Sequence, residues 1–145
     1  MAKKVFFSFK YEDVARAMVV RNSSVTQDSA GFIDKADFEA VKKQGNEAIK
    51  NWIDNQLKGT TVTVVLVGEN TNQSKWVKYE IEESIKRGNG LLEINISKIN
   101  ALGHGTSDFC GWMLPNEYKA YNWNKDNGYN NLSAWIDMAA EFVGK

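Results

Sequence analysis

Apolar residues in this chain follow two alternating patterns. Residues 5–9 and 62–67 are short, mainly apolar runs rich in β-branched and aromatic side chains and read as buried strands, and residues 91–96 read as another strand. Between them, apolar positions recur every three or four residues. Val14, Ala15 and Met18 mark a helix over residues 12–20. Phe38, Val41, Ala48, Ile49, Trp52, Ile53 and Leu57 mark a longer one over 35–58, which Asp34 or Asp37 could cap and Gly59 could end. Val77, Ile81 and Ile85 form the inner stripe of a helix over 74–87, closed by Gly88-Asn89-Gly90. Leu132, Trp135, Ile136, Ala139 and Val143 mark a C-terminal helix. Phe32-Ile33 and residues 118–123 predict two further short strands, and residues 21–31 and 97–117 read as loop.

Strands and helices thus alternate about five times, which predicts a parallel sheet with helices on both faces. With right-handed crossovers the expected fold is α/β: a flavodoxin-like, doubly wound, five-stranded parallel sheet in the order 2-1-3-4-5, formed by residues 1–145 as a single domain. The order reverses between strands 5–9 and 62–67, and ligands bind at such switch points. Two loops flank it, residues 8–13 and 68–75.

Composition narrows the function classes. Lys plus Arg and Asp plus Glu both number 18, and no basic stripe is interleaved with aromatics, so a nucleic-acid partner is not expected. One cysteine, Cys110, allows no intrachain disulfide and fits a reducing compartment. No apolar run approaches a membrane span, and the N-terminus runs directly into a strand without a leader-like apolar region. A cytoplasmic protein without membrane contact is expected. The single histidine, His104, and the single cysteine make a metal site a poor expectation.

The candidate chemistry lies at the start of the helix over 74–87. Trp76 and Glu80 are four residues apart and stack on one helical face. With Trp76 at 0°, Glu80 falls at about 40° and the apolar stripe spans about 100° to 180°. That border position suits a carboxylate facing a cleft; it equally suits a surface glutamate favoured by the helix dipole. Across the switch point, the backbone of Ser8-Phe9-Lys10-Tyr11-Glu12-Asp13 could meet a phosphate, and Lys10 could pair with it. No glycine-rich dinucleotide fingerprint or P-loop is present.

These elements resemble those of the TIR-domain family. Ser74-x-Trp76-x-x-x-Glu80 resembles the motif of TIR domains that cleave NAD, Val5-Phe6-Phe7-Ser8-Phe9-Lys10-Tyr11-x-Asp13 the first TIR box, and Gly31-Phe32-Ile33-Asp34 the second strand and BB-loop region. More narrowly, the opening residues, Val19-Val20-Arg21-Asn22 and Trp76-Val77-Lys78-Tyr79-Glu80-Ile81 resemble the TIR-like proteins of the bacterial Thoeris anti-phage system. The likeness covers residues 1–97 and thins beyond.

The resemblance implies an enzyme that cleaves NAD as substrate, with no resident cofactor or metal. It would release nicotinamide and form a cyclic ADP-ribose-type signal that activates a separate effector protein. It implies Glu80 as the catalytic carboxylate, with Ser8, Phe9 and Lys10 bordering the NAD site, Asp34 on the BB-loop side and Trp76 buttressing the pocket. Assembly into a homo-oligomer is a further family trait. A nicotinamide on ribose is already a cationic leaving group, so one anionic carboxylate that stabilises the oxocarbenium-like ribose is chemically sufficient. The competing readings are a non-catalytic TIR-like assembly module and a receiver- or flavodoxin-like domain. The latter lacks the acidic pair that receivers carry after the first strand.

Overall fold

The computed structural model describes residues 4–23, 28–30, 40–101, 103 and 105–145. Its strands are β1 (Lys4–Ser8), β2 (Asp28–Ala30), β3 (Val62–Val67), β4 (Gly90–Asn95) and β5 (Lys119–Asn122). They form one sheet in the order β2-β1-β3-β4-β5, and every pairing is parallel. This is the doubly wound α/β topology and strand order expected from the alternation of patterns. The principal helices are α1 (Val14–Asn22), α2 (Asn46–Leu57), α3 (Lys75–Lys86) and α4 (Gly128–Phe142).

The central strands β3 and β4 are buried along their whole length. The nearly all-β-branched run of β3 and the apolar residues of β4 are explained by cover on both faces. On one face, Val5, Phe7, Val64, Leu66, Leu92 and Ile94 pack with Ala17 and Val20 of α1 and with Leu132 and Ile136 of α4. On the other, Phe6 meets Ile49, Ile53 and Leu57 of α2, while Val65, Val67 and Leu91 meet Val77 and Ile81 of α3. Side chains alternate along a strand, so Ser8 shares the α2/α3 face with Phe6. That alternation aims a hydroxyl at α3 from the end of β1.

Three expectations are corrected. Residues 28–30, read as loop, form strand β2: Lys4, Val5 and Phe6 of β1 pair with Asp28, Ser29 and Ala30. Three residues without a β-branched or aromatic side chain carry no strand signal; pairing with β1 alone specifies them. The predicted helix over 35–58 is not continuous in its described part. Residues 40–43 are helical, and a new helix starts at Asn46. The break is at Gly45, whose φ of 97° is open to glycine and strained for other residues. Finally, Ile85 is 43% exposed, while Ser84 is fully buried. Ser84 Oγ donates to the Glu80 carbonyl at 2.7 Å and lies 2.7 Å from Thr63 Oγ1 of β3. The inner face of α3 is therefore Val77, Glu80, Ile81 and Ser84. Its centre is rotated by about 50° from the purely apolar stripe, and the rotation brings Glu80 inward. The Phe32-Ile33 strand expectation lies outside the described residues.

Residues beyond 97 complete the sheet through β5 and α4. Buried Glu93 of β4 accepts hydrogen bonds from the backbone N–H of Met113 at 2.7 Å and of Leu114 at 3.2 Å. It fixes a segment whose sequence has no period. Asp13 and Arg16 form a second buried anchor, 3.1 Å apart. Arg16 also donates to the carbonyls of Ile99 at 3.0 Å and Gly105 at 2.8 Å, tying α1 to the chain that follows β4. A Cβ at Gly68 would collide with Asp13 Oδ2, so the turn after β3 needs glycine at that approach. Among the described residues no helix is long and apolar enough to cross a membrane.

Candidate active site

Two chain segments converge at the C-terminal end of β1. The first is β1 itself, whose register places Ser8 opposite Val65 of β3. The second is the start of α3, where Ser74 caps the helix by accepting from the Val77 N–H at 3.2 Å. That cap fixes the first turn and sets the direction of Trp76 and Glu80. Ser8 Oγ donates to Glu80 Oε1 at 2.6 Å, a buried bond between residues 72 apart in sequence. Glu80 is only 8% exposed. Burial pushes its carboxyl up to about 8, against the opposing pull of the Ser8 hydrogen bond.

A cavity of about 350 Å³ opens beside this pair. Its size is within the range of small-molecule sites. Glu80, Trp76, Phe9 and Lys10 all line it. The structure thus brings together four of the six residues singled out in the sequence. Ser8 is fully buried and does not line the cavity; it reaches the site through Glu80. Asp34 lies outside the described residues. Sequence reasoning missed Trp52, Ile49, Tyr11 and Phe7 as cavity walls. Ile49, Trp52 and Ile53 belong to an amphipathic stripe, and a stripe does not distinguish a core from a cavity.

The remaining polar groups are largely committed. Lys10 Nζ lies 2.6 Å from Glu12, which also accepts from Asn70 Nδ2 at 3.2 Å. The Lys10 hydrogen bond holds the Glu12 carboxyl below its ordinary range. Burial, reinforced by the charge of Glu12, pushes Asp13 up, although Arg16 opposes the shift. Trp76 packs edge-to-face against Tyr79, with ring centres 6.1 Å apart. The Tyr79 hydroxyl donates to Asp54 of α2 at 2.9 Å, which locks α2 to α3. The Tyr79 hydroxyl is pushed up to about 12 by burial and by Asp54, so it stays a donor. A protected carboxyl at a doubly wound switch point, facing an aromatic-walled cavity, can take up a proton or oppose a cation.

Fold and motif together define a TIR-like domain. The family model described as "Thoeris protein ThsB, TIR-like domain" matches residues 6–101, and this chain belongs to that family. It is also similar to a Bacillus cereus (strain MSX-D12) protein named "Putative cyclic ADP-D-ribose synthase ThsB1". The two are 32% identical, with 94% of this chain and all of the relative covered. The match runs over 192 aligned positions against 145 residues here, so the relative carries inserted segments that this chain lacks.

Proposed function

We propose that this chain, as one TIR-like domain over residues 1–145, cleaves NAD. It releases nicotinamide and forms a cyclic ADP-ribose-type signal in anti-phage defence. The observation that carries the reading is the buried Glu80, held at 2.6 Å by Ser8 and facing the cavity. The name of the Bacillus relative and membership of the Thoeris family support the substrate class.

In this reading the bond between ribose C1 and the nicotinamide nitrogen breaks heterolytically. Its electron pair leaves with nicotinamide, which becomes neutral, and the positive charge passes to the ribose. Glu80 stabilises that charge as a carboxylate. A nucleophilic atom of the adenosine half then donates its lone pair to C1, and its proton goes to Glu80. Phe9, Trp76 and Trp52 exclude water, which favours ring closure over hydrolysis. The family resemblance assigns Asp34 to the BB-loop side of the substrate. The signal acts on a separate effector protein, and copies of the chain assemble into a homo-oligomer.

Free Glu80, with its carboxyl at about 8, is mostly protonated at neutral pH. The positively charged nicotinamide riboside half of NAD favours the carboxylate as it binds. Substrate thus generates the anion that the reaction needs. The test is incubation of purified protein with NAD, alone and with phage-derived extract, and identification of products by chromatography and mass spectrometry. Nicotinamide and a cyclic product are expected. Intact NAD under both conditions would favour the assembly-module reading instead.

A further inference from the structure

A second concavity lies on the outer side of Trp76. It is lined by Lys50 and Asn46 of α2 and by Lys75, Lys78, Tyr79 and Glu82 of α3, and it shares Trp76 with the Glu80 cavity. Trp76 and Tyr79 meet edge-to-face on its floor, and the Tyr79–Asp54 bond joins the two helices. Lys75 Nζ stands 4.9 Å from the centre of the Trp76 ring, and Lys50 Nζ stands 5.9 Å from that of Tyr79. Three ammonium groups thus face one carboxylate, Glu82, in a chain whose net charge is zero. Lys10, the cation that the sequence suggests for phosphate, is already bound to Glu12 at 2.6 Å. Besides the Trp76 ring, Lys75 has a long 3.5 Å bond to Asn46 and no carboxylate partner among the described residues. Lys42 adds one cation on the wall of the Glu80 cavity, whereas three ammonium groups cluster outside Trp76.

We infer that this groove binds the diphosphate of the ADP half of NAD, with Lys50, Lys75 and Lys78 as its cationic grip and Trp76 as the wall shared with the reacting ribose. The inference rests on the NAD reading above. A diphosphate carries about two negative charges, which matches the net excess of lysine over glutamate in the groove. Anchoring the diphosphate there places nicotinamide riboside in the aromatic cavity by a covalent tether around one side chain. The lysines bind substrate and transition state alike, so they act on KM rather than on the chemical step.

The test uses the full chain and the Lys50→Ala/Lys78→Ala double variant. Lys75, which starts α3, is left intact. Calorimetric titration with ADP reads the groove without any turnover. ADP affinity should fall about ten- to a hundredfold in the double variant, from the loss of two charge-assisted contacts. Wild-type affinity should weaken as salt rises. In turnover, the ratio of kcat/KM for NAD to kcat/KM for nicotinamide riboside, which has no phosphate, should fall by a similar factor. Equal ADP affinity in wild type and double variant, or no ADP binding by wild type at millimolar concentration, overturns the assignment. So does an unchanged substrate ratio. A chain that binds ADP through the lysines but releases no nicotinamide would instead count against the NAD-cleaving reading.

Discussion

Glu80 and Glu93 lie on the same face of the sheet and are almost equally withdrawn from water, at 8% and 2% exposure. Burial pushes both carboxyls up. Their partners differ. Glu93 receives one backbone N–H on each oxygen, from Met113 and Leu114, so its anion is paired by the fold. Glu80 receives a single hydroxyl, from Ser8, on Oε1, and it lines an open cavity. Burial alone does not identify a working carboxylate. What separates the two is acceptor capacity: Glu93 uses it to order a loop, and Glu80 keeps part of it for whatever enters the cavity.

Substitution to glutamine should break this symmetry in opposite directions. The largest effect is expected at Glu80→Gln, which should slow nicotinamide release by about 10²–10³-fold, the usual loss when a charge-stabilising group is removed. The same change should spare or raise stability above pH 8. A carboxyl with a raised folded-state pKa stabilises the fold fully below its unfolded value, 4.5. That contribution is lost as pH rises toward about 8. Glutamine has no such loss, so at pH 9 the variant should be more stable by on the order of a few kcal/mol. Thermal unfolding at pH 5 and pH 9 checks the sign.

Glu93→Gln should do the reverse. Glutamine keeps one acceptor oxygen and places an amide donor against the second backbone N–H. A loss of about 1–3 kcal/mol is expected, read as a melting temperature lower by several degrees, with kcat nearly retained. A smaller effect concerns pH. Because kcat/KM reports the free enzyme, it should rise with pH and level off near 8. The smallest is Ser8→Ala. Without its hydroxyl the Glu80 carboxyl should titrate higher still, moving that pH profile up by roughly one unit. An unmoved profile would show that Ser8 does not set the charge of Glu80.

Much of the fold was legible in the sequence because strands buried on both faces and amphipathic helices leave strong periodic signals. Val62–Val67 is the clearest case. β2 left no such signal, since Asp28, Ser29 and Ala30 are specified only by pairing with β1. The break at Gly45 was missed because Val41 and Ala48, seven residues apart, share one helical phase, although residues 42–47 between them carry no apolar side chain. In the site, Trp76 and Glu80 were legible as an i, i+4 pair. The inward turn of Glu80 was not, because it depends on Ser84, a polar residue that satisfies itself inside the helix layer. The bond from Ser8 joins residues far apart in sequence, and no local pattern encodes it.

The central claim is that Glu80 cleaves NAD while Glu93 holds the fold. Nicotinamide release from NAD, measured at pH 8 for wild type, Glu80→Gln and Glu93→Gln with melting temperatures on the same samples, tests it most directly. The account predicts that Glu80→Gln loses turnover and melts no earlier than wild type, whereas Glu93→Gln melts earlier and keeps turnover. A folded Glu80→Gln protein that releases nicotinamide at the wild-type rate would contradict it.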